Sequence, residues 1–260
     1  MSGATDQNRA VGGQCANCPH REDRLQKGRC KPGDSCVRAM SGRQIARFFT
    51  QNPDLADNYA GDEFWERRAI AAKYLSQQRL VQMIYDPDEV VRRVLAWRLP
   101  LEYLQPFMVD PDREVRVTVA DRLPVEQLEQ MVNDEDYLVR LYVAKRLRPG
   151  RLFRMINDAD REVRKEVARR LPPESLGLMV SDEEAEVRLV VAGRIEPEAL
   201  APLLQDSDWR IRFLACERAP YPLLQLLQQE SDSDVRQCLE QRRRESESGE
   251  SGESGESGEQ

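Results

Sequence analysis

Asp86-Pro-Asp-Glu-Val-Val-Arg-Arg-Val-Leu-Ala-Trp-Arg-Leu-Pro100 is answered 24 residues later by Asp110-Pro-Asp-Arg-Glu-Val-Arg-Val-Thr-Val-Ala-Asp-Arg-Leu-Pro124. The same step continues in both directions. Val91-Arg92 returns as Val115-Arg116, Val139-Arg140, Val163-Arg164, Val187-Arg188, Ile211-Arg212 and Val235-Arg236. A leading acid stands at Asp62, Asp86, Asp110, Asp134, Asp158, Asp182, Asp206 and Glu230, and an alanine column runs from Ala72 to Ala192 with Cys216 next. A period between 20 and 50 residues, held without slippage over eight units, is the mark of a solenoid. In such a protein the length sets the number of repeats rather than the size of one core.

Each unit can be read from inside. The leading Asp, followed by Pro or a small residue and more acids, is placed at a helix N-cap, with Pro87 and Pro111 at the first helical position. Val91, Leu95, Ala96 and Leu99 then recur at helical spacing, and Pro100, Pro124 and Pro172 stop the helix. What remains of a unit is short. Leu104, Leu128, Leu152, Leu176, Leu200 and Leu224 form one column. Met83, Phe107, Met131, Met155, Met179, Leu203 and Leu227 form another, three residues on. That spacing suits a short 3₁₀ or α segment. No alternating pattern is present, so the expected fold is all-α with no β-sheet.

Outside the array the character changes. The net charge of −7 conceals a segregation: residues 1–47 hold nine Lys or Arg against four acids, and Glu245–Glu259 hold six acids and no base. Residues 1–244 are therefore close to neutral, at −1. Cys15, Cys18, Cys30 and Cys36 lie in a glycine- and proline-bearing stretch too irregular to build its own core. The expected organisation is a Cys-rich domain at 1–40, a degenerate capping repeat at 41–61 beginning at Ser41, eight repeats at 62–242, and a disordered acidic tail at 243–260. No apolar run nears the roughly 18 residues of a membrane span, and no secretory h-region opens the chain. The expectation is a cytoplasmic protein with no membrane partner. In a reducing compartment the four clustered cysteines point to metal rather than disulfides. Their spacing, C-x2-C-x11-C-x5-C, leaves both an iron–sulfur cluster and zinc open, the second gap fitting zinc less well. His20, the single histidine, is an alternative ligand.

Repeat and cysteines together resemble the leucine-rich repeat variant family. The likeness rests on Asp-Pro-Asp, Val-Arg, Ala and Arg-Leu-Pro in strict register, with the cysteines ahead of them, over residues 15–240. It implies alternating α and 3₁₀ helices in a right-handed superhelical solenoid, and a small N-terminal domain whose Cys15, Cys18, Cys30 and Cys36 hold a [4Fe–4S] cluster. Arg67 in place of Val, and Arg148 and Glu196 in place of Pro, are departures within the repeats. The resemblance supplies no activity.

The remaining candidates have ordinary readings. Cys216 and Cys238 fit small buried positions. The arginines at 92, 116, 140, 164, 188, 212 and 236 either pair with the recurring acids or form a phosphate-binding stripe, and a near-neutral body favours pairing. A second column, Arg98, Arg122, Arg146, Arg170, Arg194 and Arg218, sits near helix C-termini, where a cation satisfies the dipole and the terminal carbonyls; of the two columns it is the better candidate for a basic edge, but the structural role is favoured. No catalytic constellation is visible, so the chain is not read as an enzyme. The leading expectation is a scaffold that engages a protein partner on its concave face and bears a redox or structural cluster. The alternative is an electron-transfer or cluster-handling protein whose solenoid docks a redox partner. A nucleic-acid binder comes third, disfavoured by charge.

Overall fold

The computed structural model describes residues 15–253. No strand is present among them, only an isolated bridge between Lys31 and Ser35. Two compact units divide the chain, the first ending at Pro124 and the second beginning at Val125.

In the first unit the cysteine segment leads into α1 (Gly42–Gln51) and a 3₁₀ segment (Pro53–Tyr59). There follow α2 (Trp65–Ala71), α3 (Gln77–Val81), α4 (Glu89–Arg98) and α5 (Arg113–Arg122), with 3₁₀ turns before α5. Helices α1, α2, α4 and α5 pack in sequence order. Residues 42–59 thus repeat the helix-then-3₁₀ order of the array. The second unit stacks α6 (Tyr137–Arg146), α7 (Arg161–Arg170), α8 (Ala185–Arg194), α9 (Trp209–Arg218) and α10 (Ser233–Glu253), with a 3₁₀ segment between each pair.

The columns read from the sequence are the core. Val91, Val115, Val139, Val163, Val187, Ile211 and Val235 are fully buried, as are Ala96, Ala120, Ala144, Ala168, Ala192 and Cys216. Small side chains in that column let successive helices approach, and the Leu and Met columns of the 3₁₀ segments close the layer from the other side. The 3₁₀ spacing is direct: Phe107 N donates to Leu104 O at 3.0 Å.

Two local expectations are corrected. In five units the capping side chain is an acid two residues after the leading one, not the leading acid itself. Asp88, Asp112, Asp136, Asp160 and Asp208 occupy that position, and their carboxylates accept from backbone N–H groups two residues on. Pro87 and Pro111 accordingly precede the cap rather than opening the helix. The leading acid is folded back by an Asx-type turn: Asp158 Oδ1 accepts from Asp160 N at 2.9 Å. That turn leaves its carboxylate facing the preceding repeat.

There it meets the arginine ladder. In the second unit Arg140 Nε and Nη2 donate to the two oxygens of Asp158 at 2.7 and 2.8 Å. Its Nη1 donates to Asp134 O and Glu135 O in its own repeat. Arg164–Asp182, Arg188–Asp206 and Arg212–Glu230 repeat the fork, each spanning 18 residues. The first unit holds the same pairs at Arg92–Asp110 and at Arg68–Asp86, so the ladder begins one rung before the arginines singled out in the sequence. A forked guanidinium–carboxylate pair is the geometry arginine is built for.

The second arginine column has the structural role favoured from its place near helix C-termini, rather than forming a basic edge. Arg98 and Arg122 donate to the helix-end carbonyls of Ala72 and Ala96, and Arg194 to Ala168 O and Leu171 O, each in the preceding repeat. Arg242 closes the series on Cys216 O and Ala219 O, a member the sequence reading missed. These cations satisfy orphan carbonyls at the negative end of a helix.

Helix α10 runs to Glu253, into the segment expected to lack structure. Gln241 donates to Glu245 at 3.0 Å, and Glu240–Arg244 and Arg242–Glu245 face each other one turn apart. The rest of the expected tail, 254–260, and the chain before Cys15 lie outside the described residues.

One rung makes a pH prediction. The Arg212 bonds, against the opposing cost of burial, hold the Glu230 carboxyl down at about 2, from an ordinary 4.5. A depressed carboxylate contributes stability that is complete above its unfolded value and is lost as pH falls through its folded one. Stability at this rung is therefore lost between about pH 4.5 and about 2. Glu230→Gln is expected to remove that part of the acid limb in urea titrations at stepped pH. An unchanged acid limb in the variant would remove Glu230 from the account.

Candidate metal centre

The cysteine segment is shaped by turns the sequence specifies. Lys31-Pro32-Gly33-Asp34 is a β-turn, with Asp34 N donating to Lys31 O at 3.1 Å. Pro32 supplies the fixed φ at its second position and Gly33 the positive φ of 78° at its third. Lys31 and Ser35 then exchange two backbone bonds, at 2.8 and 2.9 Å. This brings Cys30 and Cys36, on the flanks of the hairpin, into proximity. Upstream, Cys18 N donates to Cys15 O and Arg21 N to Cys18 O, so the C-x2-C pair lies on tight turns. A short π-helical turn, Arg21–Leu25, and Gly28 with φ of 68° reverse the chain toward Cys30.

Four anchors fasten this segment to α1 and the following 3₁₀ turn. Cys36 N donates to Gln44 O at 3.2 Å. Asn52, fully buried at the end of α1, donates from Nδ2 to Arg29 O at 2.7 Å and to Phe48 O at 2.9 Å. Arg24 pairs with Asp54 at 2.7 Å. His20 is buried, its Nε2 2.8 Å from the Tyr59 hydroxyl, and burial pushes its pKa below the ordinary value. Its two ring partners on this side are Phe48 and Tyr59. The imidazole is thus a strut between the segment and the 3₁₀ turn. Asn52 carries no sequence signal of its own, whereas Tyr59 stands 24 residues before Met83, at the head of the column that Phe107 and Met131 continue.

Cys15, Cys18, Cys30 and Cys36 line one pocket together with Leu25, Pro32, Val37, Phe48, His20 and Arg21. All four are half-buried. Burial first, and then the charges of Cys18, Cys36 and Cys15, push the Cys30 thiol up to about 11. Burial and the neighbouring Cys36 and Cys18 likewise raise Cys15. Thiols that raise one another in this way need a cation to ionise together, which an iron core supplies. No three Cys, His, Asp or Glu side chains among the described residues are gathered tightly enough to share one ion. The donor set, four sulfurs in a small apolar-walled pocket, fits a four-cysteine cluster. Cys216 and Cys238 are buried in the second unit.

Comparison with known proteins agrees with this geometry. Residues 9–58 match the family described as the LRV protein FeS4 cluster domain. That match runs past residue 40 through α1 and the 3₁₀ turn, which the four anchors make part of the site. Residues 113–136 and 161–184 match the leucine rich repeat variant repeat. A solved structure described as a leucine-rich repeat variant with a novel repetitive protein structural motif superposes with a TM-score of 0.81 at 56% identity, over 86% of this chain and 96% of that one. A Rhodobacter capsulatus relative, the uncharacterized 27.7 kDa protein in the nifB 3′ region, is 38% identical over 92 residues. That match covers 35% of this chain and 37% of the relative, so the chain spans little more than a third of it. The chain belongs to the leucine-rich repeat variant family, as a helical-repeat solenoid with a [4Fe–4S] cluster domain at its N-terminal end.

Proposed function

We propose that the protein is a non-enzymatic scaffold whose repeats engage a protein partner and whose Cys15, Cys18, Cys30 and Cys36 hold the cluster. The observation that carries the reading is the placement of tryptophan. The chain has three, and all three are exposed: Trp65 by 38%, Trp97 by 55% and Trp209 by 43%. Trp65 and Trp209 open their helices at equivalent positions of the repeat, as does the exposed Tyr137. Large aromatics are costly to leave in water and are enriched at protein interfaces. Arg68, Arg92, Arg140, Arg164, Arg188 and Arg212 of the ladder, by contrast, are committed to carboxylates within each unit, which argues against a polyanion-binding stripe.

A second reading is electron transfer, favoured by the half-burial of all four thiols. A cluster held there would lie near the surface, where a partner could exchange electrons with it. Its potential would be set by burial and by hydrogen bonds to sulfur. Anaerobic purification followed by iron and sulfide assay and voltammetry tests both readings. A brown protein that cycles reversibly without losing helical signal favours electron transfer. A cluster that is lost on every reduction favours a structural role in a scaffold. Colourless protein containing zinc alone contradicts an iron–sulfur cluster on these cysteines and with it the electron-transfer reading, because zinc is redox-inert.

A further inference from the structure

We infer that the exposed cations set round the cysteine pocket, Arg21, Lys27, Arg29, Lys31 and Arg38, form a docking face for an acidic protein surface. The inference rests on the reading of the protein as one that binds a protein partner, and it names where that partner sits and what charge it carries.

Chain geometry places the charges. Arg29 and Lys31 flank Cys30, Lys27 precedes it by three residues, and Arg38 follows Cys36 by two. Three residues of chain span at most about 11 Å, so none of these backbones can lie far from a cysteine. Arg21 lines the pocket itself. All five are exposed.

Their partners are missing from this part of the fold. The ion pairs of the cysteine segment engage other cations: Arg24 with Asp23 and Asp54, and Arg47 with Asp34. None of the five is in an ion pair among the described residues. The cluster does not neutralise them either. Four thiolates on a core of about +2 leave about −2, whereas residues 15–47 carry eight Lys or Arg against three acids. A positive excess survives cluster binding, and it is concentrated where the cluster sits.

The chemistry of the face selects its partner. Met40, 70% exposed, adds an apolar side chain beside the charges. A few cations round an apolar contact suit the small, electrostatically steered interfaces of weak redox encounters, below about 1,200 Å². A nucleic-acid duplex calls for a longer stripe, on the order of six to ten phosphate contacts.

The test uses the full, cluster-loaded chain, with a purified acidic [2Fe–2S] ferredoxin as probe and a duplex oligonucleotide as contrast. Ferredoxin affinity is expected to fall about tenfold between ~0.05 and ~0.3 M salt. The double variant R29E/K31E is expected to weaken binding by a further factor of roughly ten at low salt, with the visible absorption of the cluster retained. Arg161→Glu, an exposed cation of the array, is the control and should leave affinity unchanged. Should R29E/K31E lose its cluster, K27E/R38E carries the same expectation. Unchanged affinity in the charge-reversed protein overturns the inference. So does preference for the oligonucleotide, or salt-sensitive self-association of the full chain in sedimentation, which would make its own acidic segment the occupant. A chain with exposed tryptophans that binds another protein but not the ferredoxin removes this face alone, leaving the scaffold reading in place. A chain that binds no protein at all removes both.

Discussion

Arg140→Ala is expected to lower the free energy of unfolding by about 3–5 kcal/mol, the range for breaking a buried ion pair from one side. Arg140 and Asp158 are only 13% and 6% exposed, and the change deletes two bonds to the carboxylate and two to the Asp134 and Glu135 carbonyls. Asp158 is then left buried with its charge. Adding Asp158→Asn removes that charge and should recover part of the loss, since the amide oxygen can still accept from Asp160 N. Asp160→Ala, which deletes only a helix cap, is expected to cost about 1 kcal/mol. Urea unfolding of the four proteins supplies the comparison. A cost for Arg140→Ala within about 0.5 kcal/mol, the range of ordinary surface changes, would mean that the ladder does not hold the repeats together.

The second large effect lies at the other end of the chain. Serine in place of any one of Cys15, Cys18, Cys30 or Cys36 is expected to abolish most iron and sulfide in anaerobically purified protein. Alanine at Cys216 or Cys238 should leave both unchanged, because those thiols are buried in the second unit. The helical signal of the repeats should survive the serine variants, since each repeat draws its stability from its neighbours. Full iron content in a single serine variant would show that a different set of residues holds the metal.

How much of this was legible in the sequence depends on the range of the interaction. Periodic features were open to reading: the buried columns, the 3₁₀ spacing and the pairing of arginines with acids. The four cysteines stood out because they cluster within 22 residues. Assignments between adjacent candidates failed. Asp86 and Asp88 are both competent caps, and the choice is made by an Asx-type turn that frees Asp86 for Arg68. Arg68 itself was passed over because its neighbour Arg67 occupies a position where other repeats have valine or isoleucine. The second arginine column could be placed at helix ends, but not matched to its acceptors, which are carbonyls 23 and 26 residues back that no side-chain pattern records. Asn52 acts once, and a residue that acts once leaves no period. The division at Pro124 has no counterpart in the repeat, which continues through it in register.

The arginine fork has a genetic corollary. Each guanidinium grips its own cap loop and an acid 18 residues ahead, and the acids recur every 24. Excision of residues 158–181 would carry Asp182 into the place of Asp158, still 18 residues beyond Arg140. A tandem duplication of the same segment likewise creates one new arginine and one new acid, already matched. Unequal crossing-over between copies of the repeat can thus lengthen or shorten the gene without stranding a buried charge. An insertion whose length is not a multiple of the repeat, placed between an arginine and its acid, would break a rung.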